Sequence, residues 1–210
     1  MRLRFDKTAQ TKLEESKFYL QNFPIQVFQT DVIEIGAGKG EMIAQLALNN
    51  PKVRYFALEK YQTVANKILS KIKQYNLMNL YIITKDAKDI PEIFQGQVKQ
   101  IWLTFSDPWP KNAHEKRRLT YKTYLDLYKN LLSKDGEIWF KTDNDKLFNY
   151  SIESLKANNW VICEKTTDLH HSKYNENNYQ TDYEIKWANQ NKNINFLIAK
   201  YNLKEENDSK

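Results

Sequence analysis

Val32-Ile33-Glu34-Ile35-Gly36-Ala37-Gly38-Lys39-Gly40 joins four residues of strand composition to a glycine-rich turn. Met42, Ile43, Leu46 and Ala47 follow at helical spacing, so the segment reads as strand, turn, helix. A second apolar run, residues 53–58, ends in Glu59, and Val64, Ile68, Ile72 and Tyr75 then line one face of the next helix. Residues 80–83 supply a third strand that stops before Asp86-Ala87, and residues 101–105 a fourth that stops at Ser106-Asp107. Tyr121, Tyr124, Leu125, Tyr128, Leu131 and Leu132 mark another helix. Asp135-Gly136 turns into a fifth strand at 138–140, which ends in Lys141-Thr142-Asp143 ahead of a helix near residues 145–157. Residues 160–163 and 194–199 complete seven strands. No helical pattern separates the last two, which predicts that they pair antiparallel at the sheet edge. The fold class is α/β, a seven-stranded, mostly parallel sheet with an antiparallel edge strand and helices on both faces.

The chain of 210 residues suits one domain, expected over 30–203, with a basic extension at 1–29 and a disordered tail at 204–210. Its formal charge of +6 and pI near 9.1 favour a polyanionic partner. Cys163 is the single cysteine, which excludes an intrachain disulfide and a cysteine-cluster metal site and agrees with a reducing compartment. No apolar run approaches the roughly 20 residues of a spanning helix, and Met1-Arg2-Leu3-Arg4 begins no signal peptide. A cytoplasmic protein without a membrane role is expected. The polar, Asn-rich residues 165–182 form a connection longer than most structureless loops.

Ligands of open α/β sheets sit outside the carboxyl ends of the strands. Glu34, Glu59, Asp86, Asp107 and Asp143 all fall at such ends. Each alone reads as a helix cap or a solvated turn; together they describe an acid-lined pocket. The glycines Gly36, Gly38 and Gly40 are spaced G-x-G-x-G, not the G-x-G-x-x-G of a dinucleotide site, and no P-loop is present. Such a pocket repels pyrophosphate and suits a cationic ligand. S-adenosylmethionine, with a sulfonium and an α-amino group, meets that requirement, and Glu59 is placed to hold ribose hydroxyls.

Residues 105–118 carry an acid, a proline-stiffened turn, an aromatic plate and a run of cations. Glu34 to Gly40, Asp86-Ala87, Phe105-Ser106-Asp107-Pro108-Trp109-Pro110-Lys111, His114-Glu115-Lys116-Arg117-Arg118, Lys141-Thr142-Asp143-Asn144 and Thr181-Asp182-Tyr183-Glu184 together resemble the bacterial tRNA (guanine-N7-)-methyltransferase family. The resemblance runs in order over about residues 30–187. It implies the Rossmann-like sheet of class I methyltransferases, with Glu34, Gly36, Gly38, Gly40, Glu59, Asp86, Ala87 and Asp107 at the S-adenosylmethionine site. It places the RNA substrate at Lys111, Asp143, Thr181, Asp182, Tyr183 and Glu184, and phosphate contacts at His114, Lys116, Arg117 and Arg118. Family members usually carry Arg where this chain has Ala113.

The chemistry agrees with these residue types. Guanine N7 has an in-plane lone pair and no proton, so it can attack a sulfonium methyl without a strong base. Asp107 is then the candidate catalytic group, favouring the positive charge that develops on the base. Asp143 and Glu184 are candidates to accept the guanine N1 and N2 hydrogens, and Trp109 either stacks on a base or packs under its loop. The deep major groove of A-form RNA hides N7, so the target is expected in a loop, which the resemblance identifies as the tRNA variable loop. The expected partner is tRNA, with no obligate protein partner, in a monomer or homodimer. His170-His171 reads as polar loop and no metal is expected. The rival readings are an exocyclic-amine methyltransferase, a non-catalytic RNA-binding protein and, last, a nicotinamide oxidoreductase.

Overall fold

The computed structural model describes residues 6–190 and 192–202, so the expected tail at 204–210 lies outside the described residues. The elements run α1 (Ala9–Glu14), β1 (Ile25–Val27), β2 (Val32–Ile35), α2 (Glu41–Asn49), β3 (Tyr55–Leu58), α3 (Gln62–Gln74), β4 (Leu80–Ile83), α4 (Ile90–Ile93) and β5 (Phe94–Gly96). After these come β6 (Val98–Thr104), α5 (Lys122–Leu131), β7 (Leu132–Thr142), α6 (Asp145–Ala157), β8 (Trp160–Thr166), α7 (Asp182–Ala188) and β9 (Asn195–Tyr201).

The main sheet has seven strands in the order β4-β3-β2-β6-β7-β9-β8. The first five pair in parallel, and β9 runs antiparallel to both β7 and β8. Strand order reverses at β2, whose neighbours are β3 on one side and β6 on the other, so a ligand crevice opens there. Successive β2 residues point to opposite faces: Ile33 and Ile35 join the apolar cluster with Leu125, Tyr128 and Phe148, and Val32 joins the cluster with Met42, Ile43 and Ile68. Burial on both faces explains why β2 and β3 are apolar runs with little alternation.

Two features differ from the sequence reading. The last strands do pair antiparallel, but β9 is inserted between β7 and β8, and the helix α7 interrupts the connection between them. The fifth strand begins at Leu132, before Asp135-Gly136, and the register shifts where Val98 pairs Leu132 and Gln100 pairs Glu137. The turn therefore lies within β7 as an irregularity.

Residues ahead of β2 cover the outer edge of the sheet. Leu20 N donates to Ile82 O at 2.9 Å and Ile82 N to Phe18 O at 2.8 Å, which closes an otherwise open strand edge. β1 pairs in parallel with β5 through Ile25 and Phe94. On the other side of the crevice, Gly40 starts α2 at φ +70°, and a Cβ there would stand 2.8 Å from Ile68 Cγ1. Only glycine allows α2 and α3 to approach so closely at that backbone conformation.

Candidate active site

The carboxyl ends of β2, β3, β4 and β6 open on a cleft of about 640 Å³. Its lining includes Gly36, Gly38, Glu59, Asp86, Asp107 and Trp109. Glu59, 7% exposed, spans the glycine turn: Oε2 accepts from Gly38 N at 3.0 Å and Oε1 from Tyr61 N at 2.9 Å. Burial raises its pKa above the ordinary carboxylate value, those two N–H groups oppose the rise, and the charge of Asp107 adds to it. Asp86 caps the turn at Ala87–Asp89 by accepting from Lys88 N at 3.1 Å, and Lys60 Nζ reaches it at 2.7 Å. Burial works against its charge, but these partners outweigh burial and hold the carboxyl below its usual range.

Glu34 is 2% exposed on β2 and is not part of the cleft lining. Burial pushes its pKa up to about 8 against the Thr104 hydroxyl and the Lys141 charge, and Oε2 has no hydrogen-bond partner among the described residues. The expected cofactor set therefore divides. Gly36, Gly38, Glu59, Asp86, Ala87 and Asp107 meet in one cleft, while Glu34 stands behind it and Gly40 serves the helix junction.

The residue 105–110 loop leaves β6 in an unusual conformation, with Phe105 at φ +47° and Trp109 at φ +40°. Aromatic residues seldom occupy that left-handed region, and such backbone collects at functional sites. Phe105 N donates to Lys141 O at 3.0 Å, and Arg118 donates to Pro108 O at 3.2 Å and Trp109 O at 2.9 Å. Arg118 is buried, with its guanidinium 4.1 Å over the Tyr150 ring. Arg117 is exposed and lies 4.8 Å over the Trp109 ring, which also meets His114 edge to face. Of the expected RNA contacts in this block, Lys111, Lys116 and Arg117 are exposed, His114 is half-buried, and Arg118 is buried. Trp109 packs within its own loop and also lines the cleft.

The segment Thr181 to Glu184 lies at the start of α7. Thr181 caps the helix by accepting from Glu184 N at 3.0 Å, and Tyr183 Oη donates to Asp143 Oδ2 at 3.1 Å. The Tyr183 ring is 5.3 Å from that of Phe105, so Phe105, Asp143 and Tyr183 form one group beside the Asp107 loop. Asp182 heads the helix at its first position. Glu184 is fully buried: Oε2 accepts from Lys141 Nζ at 2.6 Å, and Oε1 bonds Asn178 Nδ2 and His170 Nε2, each at 2.8 Å. Burial opposes its charge, but Lys141, Asn178 and His170 prevail and keep its pKa below the ordinary value. Both carboxylate oxygens are thus engaged inside the protein. Lys141, which the sequence reading did not assign to the site, is the centre of this network; its sequence signal is its place at the head of Lys141-Thr142-Asp143-Asn144, a cation closing an apolar strand run.

A model of the family described as "Putative methyltransferase" matches residues 29–197. The tRNA (guanine-N(7)-)-methyltransferase of Mycoplasmopsis synoviae (strain 53) is 58% identical over 200 residues, covering 95% of this chain and 97% of that protein. This chain belongs to the tRNA (guanine-N7-)-methyltransferase family. A second family member, from Mycoplasmopsis agalactiae (strain NCTC 10123 / CIP 59.7 / PG2), is 51% identical over 201 residues, 95% of this chain and 98% of that one. The fold is shared more widely. An antibiotic-related methyltransferase superposes with a TM-score of 0.61 at 16% identity, over 96% of this chain and 97% of that one. The 16S rRNA methyltransferase KamB does so with 0.58 at 12%, over 93% and 94%.

The cleft of this tRNA (guanine-N7-)-methyltransferase family member fits S-adenosylmethionine by the chemistry of its donors. Three carboxylates, Glu59, Asp86 and Asp107, suit hydroxyls, amines and a sulfonium, and a Cβ added at Gly38 would meet nothing within 4 Å, so the glycine turn faces open space.

Proposed function

We infer that this enzyme transfers a methyl group from S-adenosylmethionine to N7 of a guanine in tRNA, leaving 7-methylguanosine. Family membership supports the reaction, and one observation supports its location: the Asp107 loop borders the acidic cleft on one side and the Asp143–Tyr183 pair on the other. We further propose the variable-loop guanine as the target, on the strength of the Asp107-Pro108-Trp109-Pro110-Lys111 and Thr181-Asp182-Tyr183-Glu184 motifs.

When bound, S-adenosylmethionine supplies an electrophilic methyl group on its sulfonium. In this proposal Glu59 holds the ribose hydroxyls and Asp86 with Ala87 the adenine end. Asp107 is the catalytic group: its exposed carboxylate favours the positive charge that appears on guanine, and no proton has to be removed. Asp143 accepts a hydrogen from the guanine edge and so turns N7 toward the donor, which makes positioning the main source of rate. Lys111, Lys116 and Arg117 bind phosphate on the exposed side of the loop and set the direction of approach without reading sequence. Among the described residues no helix is long and apolar enough to cross a membrane. Action in the cytoplasm, as a monomer or homodimer without an obligate protein partner, completes the proposal.

The test is to incubate the purified protein with methyl-labelled cofactor and unmodified tRNA and digest to nucleosides. Label in 7-methylguanosine is expected. Label on an exocyclic amine would favour the rival methyltransferase, and unlabelled product from every cognate tRNA would overturn the assignment.

A further inference from the structure

Lys141 is wholly buried, which is rare for lysine. Its ammonium has three hydrogens, and three acceptors surround it: Glu184 Oε2 at 2.6 Å, Asn178 Oδ1 at 2.7 Å and Tyr179 O at 3.0 Å. All three belong to residues 178–184, the approach to α7 and its first turn. The main chain of the same residue holds a second segment: Lys141 O accepts from Phe105 N at 3.0 Å, at the left-handed residue from which the chain turns to Asp107. The ammonium also stands 5.5 Å from the Phe105 ring. One residue thus grips the Asp107 loop by its backbone and the Tyr183 helix by its side chain. Two positions further on, Asp143 accepts from Tyr183 Oη.

Stability alone is a weak reason for such a pair. The desolvation of two buried charges consumes most of their attraction, and apolar replacement of both partners is often neutral or stabilising. What the pair supplies is a fixed geometry, since three directed bonds admit one placement of residues 178–184. His170 contributes from the opposite side of Glu184, so the carboxylate is held at both oxygens.

We propose that Lys141 is a positioning residue for methyl transfer, holding the Asp107 loop and the α7 recognition segment in the one relative placement in which the base meets the methyl donor. The role rests on the methyl-transfer reading above. It predicts a separation between folding and turnover. Lys141→Met strands the Glu184 charge and lowers the melting temperature. The double variant Lys141→Met/Glu184→Leu removes both charges and recovers most of that loss. Its kcat nevertheless stays about 100-fold below wild type, the scale of a misplacement of about 1 Å, while its Kd for S-adenosylmethionine remains within about threefold.

Melting curves, cofactor titration and steady-state kinetics on tRNA, run side by side, decide the matter. A double variant with wild-type kcat overturns the proposal. So does one that fails to recover its melting temperature, because the pair would then serve the fold itself. A wild-type enzyme that makes no 7-methylguanosine would instead defeat the functional reading on which the role depends.

Discussion

The Arg118 guanidinium donates to the Trp109 carbonyl at 2.9 Å, while that of its exposed neighbour Arg117 stands over the Trp109 ring at the rim of the cleft. Two adjacent cations therefore do different work. Arg117→Ala is expected to weaken tRNA binding a few-fold and reduce the salt slope of binding by about 1. Arg118→Ala is expected to lower folding stability by about 1–3 kcal/mol, because the Pro108 and Trp109 carbonyls lose a charged donor. Salt titrations of tRNA binding and melting curves on both variants check this; an exchange of the two phenotypes would refute it.

Asp107 is exposed at the cleft and, among the described residues, makes no hydrogen bond comparable to those of Glu59. Asp107→Ala is expected to reduce kcat by about 10²–10³-fold, the usual scale for one electrostatic contact to a transition state. Its melting temperature and tRNA affinity should match wild type. Loss of folding or of tRNA binding would contradict the assigned role.

Glu34 makes a pH prediction. Its folded pKa of about 8 lies above the unfolded value of about 4.5, so the folded state binds the proton more tightly. Stability from this group is complete below pH 4.5 and falls as pH rises from there to about 8. Glu34→Gln, which keeps the shape and removes the charge, should leave the melting temperature nearly unchanged at pH 4.5 and raise it increasingly toward pH 8. A melting series across that range checks the sign; a variant less stable than wild type at pH 8 would show that the buried charge is favourable.

Gly40→Ala is expected to destabilise by about 1–2 kcal/mol from its left-handed backbone alone, with a further cost because the new Cβ meets Ile68 at 2.8 Å. Denaturant unfolding of Gly40→Ala and of Gly40→Ala/Ile68→Ala separates the two costs. Equal stability of Gly40→Ala and wild type would refute the close approach of α2 and α3.

The seven strands were legible because β2, β3, β4 and the second half of β6 are short apolar runs, and because parallel strands buried on both faces must be so composed. α7 was not legible. Tyr183 and Ile185 leave much of their surface exposed, which blurs the helical stripe, and the one local sign was the capping pattern Thr181-x-x-Glu184. The acids of the cleft could be placed at strand ends from order alone. Their burial could not: nothing in the spacing tells that Glu34 lies beneath the glycine turn while Asp107 lies on the surface. The same holds for Lys141 and Arg118, whose partners arrive from segments distant in the chain or from a backbone conformation visible only in three dimensions. β1 and β5, three residues each, pair over too great a separation to be read from pattern.

The central claim is methylation at guanine N7, and chemical mapping tests it most directly. Borohydride reduces the cationic ring of N7-methylated guanine, the base is then lost from its sugar and aniline cuts the strand there, whereas exocyclic methylation leaves the strand intact. End-labelled, unmodified tRNA treated with the enzyme and S-adenosylmethionine should give one new cut, at the variable-loop guanine. Quantitative methyl transfer without any such cut would contradict the account.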